Sequence, residues 1–470
     1  MFSINKKIAI VITDGVGYRN FVMSDFVLEI QQRFQDISIY SGLPKSVFEQ
    51  TEIRQNIKIF ELDVFNENKL TWFFRKWKEL AHLKKHQHFA GMNENYLGGY
   101  PKDNKLGSFL LKIIYFIVRC WHSNKSILFA EKMQFWSLSQ NDVTKSYNNL
   151  LKNDKPDLVF FTHQRPSYLA PLLAVVEKQN IKTATFIFSW DNLSSKGRML
   201  GAFDYFLVWS DLMKNELLFF YNQIIETQVK VIGTPQFEPY VLDRYYSNDG
   251  SFFNKFSLNP NKKTICYSCA DISIGANDTI VIAEIQKAID LKKIENAQLL
   301  VRTSPAESPE RFYDLKKNYP NITWNFPKWQ STRENHTESW SQRIPTFDDI
   351  VDLRSILENA DLSVNMCSTM SLDFMIFNKP VVCTVFGNAE NGLFNDQRFL
   401  KYDHFKKVVD SGAIRIAKNA NDLIHEINFL LQNPSSNEVE RRNMVNLQIS
   451  KPLAGTSSRI AETLANIANV

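Results

Sequence analysis

The stretch Asn365-Met-Cys-Ser-Thr-Met-Ser-Leu-Asp373 sets the hydroxyls of Ser368, Thr369 and Ser371 at the start of an apolar helical run that continues to Phe377. A helix start carries unpaired N–H groups and partial positive charge, so it favours a phosphate, and hydroxyls can donate to the same anion. Asn365 closes the preceding strand. Asp373 comes about one turn further in, where a carboxylate can accept hydrogen bonds from ribose hydroxyls. The same residue types also cap helices with no ligand involved, and spacing alone leaves the two readings level. In Leu299-Leu-Val-Arg302-Thr-Ser304-Pro305 a strand delivers an arginine to its end. Arg302 suits bidentate contact with a phosphate, or it is a rim arginine.

Acid–base chemistry has three candidates, again just after apolar runs: Asp14 in Asp14-Gly-Val-Gly17, His163 in His163-Gln-Arg165, and Asp191 in Ser189-Trp-Asp-Asn192. Brought together, two acids and a histidine could supply a general base. Taken singly, Asp191-Asn192 also fits a plain turn, and His163 also fits a packed imidazole.

The elements that must position these residues are legible as short apolar runs separated by polar turns and helical stretches. Lys7–Thr13, Asp157–Thr162, Thr183–Phe188, Tyr205–Trp209 and Val229–Ile232 form one series. Thr264–Ser268, Ala297–Arg302, Ile322–Trp324, Asp361–Asn365, Pro380–Thr384 and Ala413–Ile416 form a second. Strand and helix in alternation imply a parallel sheet covered on both faces. The fold class expected is therefore α/β, with two Rossmann-like, doubly wound domains facing across a cleft. The first would cover residues 1–238 and the second 263–450, with a linker at 239–262 and a terminal helix at 451–470 returning to the first. In open parallel sheets ligands bind beyond the carboxyl ends of the strands, which is where every candidate above falls.

A helical insertion at about 69–136 interrupts the first series and interleaves aromatic with basic residues, as in Trp72-Phe-Phe-Arg-Lys-Trp-Lys78. Such helices lie on anionic bilayers, or they bury an aromatic face and solvate their lysines. The longest apolar stretch, Leu106–Trp121, is broken by Lys112 and Arg119 and is too short to span. No signal peptide is legible, and five cysteines form an odd, scattered set. Both point to the cytoplasm, with a peripheral place at the inner face of the membrane as the companion expectation. Cys266-Tyr-Ser-Cys269 has CxxC spacing but no second pair, so it reads as buried strand cysteines. The net charge of +5 is too diffuse to argue for nucleic acid.

Four segments together resemble bacterial glycosyltransferases of the GT-B fold, and the similar UDP-N-acetylglucosamine 2-epimerases and CDP-glycerol glycerophosphotransferases. Val231-Ile-Gly-Thr-Pro-Gln-Phe-Glu238 is similar to their V-x-G-x-P-x-x-D segment, and Leu300-Val-Arg-Thr-Ser-Pro305 to R-x-H-P, with Ser304 where histidine is usual. Ser368–Asp373 with Asn378-Lys-Pro-Val-Val382 resembles the donor-nucleotide motif, and Arg459-Ile-Ala-Glu462 the terminal helix. The resemblance implies a nucleotide donor held by Arg302, Ser304, Asn365, Ser368, Thr369, Ser371 and Asp373. It implies no metal and no cofactor, the nucleotide-sugar being a substrate, and a glycan or lipid-linked acceptor. The chain has no histidine between His163 and His336, which weighs against an epimerase, and no Asp-x-Asp, which weighs against metal-dependent single-domain transferases. The expectation is a glycosyltransferase with Asp191, Asp14 or His163 as base. Its rivals are a polyol-phosphate transferase using a CDP-linked donor and a non-catalytic nucleotide- or glycan-binding component.

Overall fold

The computed structural model describes residues 4–49, 57–103, 106–247, 251–334, 339–387 and 393–470. The chain divides into two compact units, residues 1–235 with 450–470, and residues 236–449. The stretch expected as a linker carries short helical turns at Pro235–Val241 and Asp243–Tyr245 and a helix at Ser251–Lys255, while 248–250 lie outside the described residues.

In the first unit, strands β1 (Ile4–Ile12), β2 (Phe34–Ser41), β3 (Ile57–Glu61), β4 (Leu158–Phe161), β5 (Lys182–Phe186), β6 (Tyr205–Val208) and β7 (Val229–Val231) form one parallel sheet in the order β3-β2-β1-β4-β5-β6-β7. The inner strands read as continuous apolar runs because both faces are covered: Ile8 to Ile12 and Leu158 to Phe161 are all buried. β2 was not legible from that signal. Its alternating Ser38 and Tyr40 are buried with hydroxyls on Asp154, at 3.0 and 2.7 Å, and Lys7 pairs the same carboxylate at 2.6 Å. A partner 114 residues away turns a polar pattern into a core strand. The last helix, Thr456–Asn469, packs on β1, β4 and the helix Phe26–Arg33.

The second unit holds β8 (Lys263–Ser268), β9 (Ala297–Arg302), β10 (Thr323–Asn325), β11 (Trp329–Ser331), β12 (Arg343–Pro345), β13 (Leu362–Asn365), β14 (Val381–Thr384) and β15 (Arg415–Ala417). Six of them form a parallel sheet ordered β10-β9-β8-β13-β14-β15, and β11 and β12 pair as an antiparallel ribbon that the apolar runs did not announce. Both units are thus parallel α/β sheets, as the alternation implied.

The insertion folds as helices Lys69–Lys85, Ala90–Gly98, Leu106–Cys120 and Asn124–Leu138, the first capped by Asn68 accepting from the Thr71 N–H at 2.8 Å. Among the described residues no helix is long and apolar enough to cross a membrane. The long first helix buries His82 and His86, whose rings lie 4.9 Å apart, against Tyr221 and Phe220. Among the described residues neither nitrogen of His82 has a hydrogen-bond partner. Burial, reinforced by nearby Lys85 and Arg198, holds the His82 imidazole well below its ordinary range and lowers His86 to about 4. The unfolded chain therefore binds protons that the folded chain refuses. Stability that is present above the ordinary imidazole value of 6.5 is lost as pH falls towards 4. We expect the thermal midpoint to drop steeply over that window and His86→Phe to flatten the drop; parallel profiles for the two proteins would contradict this.

Candidate functional site

A doubly wound sheet opens a crevice where successive connections leave a strand in opposite directions. In the first unit the chain moves from β1 outward to β2 and β3, then returns to lay β4 on the other side of β1. The β1 and β4 ends carry Asp14 and His163, and β5, next in line, leads to Asp191. The three sequence candidates therefore sit at neighbouring strand ends, and Gln164 ties two of the loops together. Its Nε2 donates to Asn192 Oδ1 at 2.9 Å, and its Oε1 accepts from the Phe188 N–H at 3.1 Å.

The three differ in what their local structure leaves open. Asp14 is 2% exposed and caps the helix Gly15–Phe21: one oxygen accepts from the Gly17 N–H at 2.8 Å, the other from Thr13 Oγ1 at 2.5 Å. Burial raises its pKa against these donors. Its geometry is that of a cap, which accounts for an acid at this position. His163 is buried with its ring stacked on Phe188, centroids 4.0 Å apart. Its Nδ1 accepts from the Arg165 backbone N–H at 3.1 Å, which assigns the remaining proton to Nε2. Burial, aided by Arg165, holds it neutral far below its ordinary range. In this tautomer Nε2 carries the proton and can donate a hydrogen bond. Asp191 is half-buried, accepts from Asn192 Nδ2 at 3.1 Å and lies 3.6 Å from Lys196 Nζ. Of the three, it alone keeps its carboxylate in partial contact with solvent.

The second unit repeats the topology. The chain runs from β8 to β9 and β10, then returns to place β13 beside β8. The turn after β13 is the hydroxyl-rich segment. Asn365 is fully buried, and its Oδ1 accepts from the Ser368 N–H at 3.2 Å and Ser371 Oγ at 3.0 Å. Between them Cys367 takes a left-handed conformation with φ of 43°, which is uncommon for a residue with a side chain. The short helix Met370–Ile376 follows. Ser368 and Thr369 are half-buried at the turn; Ser368 Oγ accepts from the Met370 N–H at 3.2 Å, and its own proton can serve an incoming anion. Ser371 is buried and faces Asn365, so it supports the turn.

Two expected ligands are spoken for by the scaffold. Asp373, expected to meet ribose, is buried, with one oxygen hydrogen-bonded by the Tyr240 hydroxyl. Arg302 does end β9, but its guanidinium is 6% exposed and is bound by Asp349, at 2.9 and 3.1 Å, and by Asn325. The Arg302 pair holds the Asp349 carboxyl below its usual range despite burial. Local sequence gave no sign of partners lying 47 and 133 residues away. Ser304 is buried, and its Oγ accepts from the Ala306 N–H at 3.2 Å in a hydroxyl turn. Unanticipated just beyond the β8 end is Asp278, which accepts from Tyr267 at 2.8 Å and from the Ala270 N–H and Arg311, both at 3.1 Å, and so shapes the loop after the strand that neighbours β13.

Among the described residues no group of three or more His, Cys, Asp or Glu could hold a metal ion. A cavity of ≈ 1100 Å³ opens at the opposite edge of the first sheet, lined by Lys182, Tyr205 and Lys230 among others, and contains none of the candidates.

No family model and no curated protein matches the sequence. Solved structures do. A UDP-GlcNAc 2-epimerase from Neisseria meningitidis, solved with UDP-GlcNAc, matches at 12% identity and a TM-score of 0.54, covering 98% of this chain and 100% of its own. A glycosyltransferase from Rickettsia africae matches at 12% identity and a TM-score of 0.52, covering 98% of each chain. The epimerase from Methanocaldococcus jannaschii gives 12% identity and 0.51, over 98% of this chain and 99% of its own. The likeness is one of fold, and it is the GT-B-type fold that the four sequence segments implied.

The Arg302–Asp349 contact generates a direct test. Removing one partner of a buried pair strands the other charge, so Arg302→Met should lower the unfolding free energy in urea by about 3 kcal/mol. A variant of native stability would contradict a structural role for the Arg302–Asp349 pair.

Proposed function

We propose that the chain is a glycosyltransferase that moves a sugar from a nucleotide donor to a hydroxyl of a cell-surface polysaccharide or lipid-linked glycan. The observation that carries this reading is the position of Ser368 and Thr369, two half-buried hydroxyls at the switch point between β8 and β13, where open parallel sheets bind their ligands. The fold neighbour solved with UDP-GlcNAc is consistent with a nucleotide-sugar at such a site.

In this reading Ser368 and Thr369 donate to the donor phosphates. Asn365 and Ser371 hold the turn, and the Arg302–Asp349 pair fixes the neighbouring β9 end. On the first unit Asp191 deprotonates the acceptor hydroxyl in an inverting reaction, and His163 Nε2–H orients that hydroxyl or its neighbour. Asp14 keeps the β1 turn in shape. No step here is assigned to a metal or a cofactor.

Nucleotide-induced thermal shifts over UDP, GDP, CDP and CMP identify the donor. Stabilisation by UDP or GDP supports the reading, whereas a response to CDP alone favours a polyol-phosphate transferase. Asp191→Ala should reduce turnover by about 10²- to 10⁴-fold with nucleotide affinity unchanged. Asp14→Ala should act mainly by lowering the thermal midpoint. Undiminished turnover in Asp191→Ala would remove the base assignment, and binding without nucleotide release on any acceptor would indicate a non-catalytic component.

A further inference from the structure

Two helices of the insertion carry the same surface pattern. On Leu106–Cys120 the buried strip is Ile114, Tyr115 and Val118. Phe109 and Phe116, seven residues apart, point outward, and Phe116 is 75% exposed. On Asn124–Leu138 the core strip is Ile127, Ala130, Gln134 and Leu138, and the outward stripe holds Leu128, Phe129 and Trp136. Trp121, in the bend between the helices, is 62% exposed, as is Trp136. The sequence allowed an aromatic face buried in the core. For these exposed side chains the structure shows the reverse, while Trp77 and Tyr115 take inner places.

Trp77, on the first helix of the insertion, meets both the bend and the second stripe, with Trp121 stacked on it at 6.4 Å and Phe129 against it at 5.9 Å. Exposed aromatic side chains grouped in this way are costly in water unless something covers them. Charge says what. Lys112, Arg119, Lys125 and Lys132 are interleaved with the aromatics at helical spacing, and the one acid between residues 106 and 138, Glu131, is buried near Lys78 and Arg198. Among the described residues of these helices the solvent face is therefore aromatic and cationic, with Asp103, hydrogen-bonded by Ser108, as the acid at its start.

We infer that this face docks on an anionic phospholipid bilayer, with Phe116, Trp121 and Trp136 entering the headgroup–acyl boundary and the lysines and Arg119 meeting lipid phosphates. Rings with amphipathic edges favour that depth, and nearby cations add electrostatic attraction that salt screens. The inference does not depend on which nucleotide the second unit takes, or on whether it takes one.

Co-sedimentation of the full chain with phosphatidylcholine vesicles, with and without phosphatidylglycerol, tests it. Binding is expected to the anionic vesicles at low salt and to weaken at high salt. The exposed charge-reversal pair Lys125→Glu/Lys132→Glu should weaken it about tenfold or more. Phe116→Ser/Trp136→Ser should abolish it with the circular dichroism spectrum unchanged. The proposal is overturned if wild-type protein stays in the supernatant at low salt, or if both variants bind as wild type does. It is also overturned if sedimentation velocity shows a stable dimer that the aromatic variant dissolves, since the face would then be covered by a second copy.

Discussion

In a parallel sheet all strands end at one edge, and in each unit of this protein the first strand lies inside the sheet with later strands laid on both sides of it. That arrangement forces the connections apart at one place and leaves a crevice there. In the first unit the β1 and β4 ends put Asp14 and His163 at that place, with Asp191 one strand further. In the second, β8 and β13 put the Ser268-to-Asp278 loop and the Ser368–Thr369 turn there. The chemistry available to the protein follows from what those loops carry once the sheets have formed.

Much of what they carry is used to hold the loops themselves. Asn365 is buried and satisfied by Ser368 and Ser371, and Asp14 is satisfied by Thr13 and Gly17. Arg302 and Asp349 are a buried pair, expensive to desolvate and more expensive to break. These groups hold the turns in their shapes. The half-buried side chains at these loops, Ser368, Thr369 and Asp191, are the ones on which the proposed ligand contacts rest. Shape supplied by buried polar groups and contact supplied by a few half-buried ones is a common division of labour in pre-organised sites.

The sheets were largely legible because strands covered on both faces read as near-continuous apolar runs, which stand out at Ile8–Ile12, Leu158–Phe161 and Leu299–Val301. β2 escaped because its buried Ser38 and Tyr40 are made tolerable only by Asp154, and the β11–β12 ribbon escaped because three-residue strands carry almost no pattern. The positions of the candidate residues at strand ends could be read from sequence. Their states could not, since Tyr240 on Asp373, Asp349 on Arg302 and Phe188 on His163 are tertiary contacts. The outward turn of the aromatics on 106–138 was likewise undecided until their helices had chosen a core face.

The central claim is that a nucleotide sits on the hydroxyl-rich turn of the second unit. Amide hydrogen exchange of the intact chain, followed with and without saturating UDP, tests it most directly. The account predicts slowed exchange concentrated in the peptides spanning Asn365–Ile376 and the loop after β8, with the β1, β4 and β5 ends unchanged by nucleotide alone. Saturable UDP binding that leaves Asn365–Ile376 unprotected and protects some other segment would contradict it.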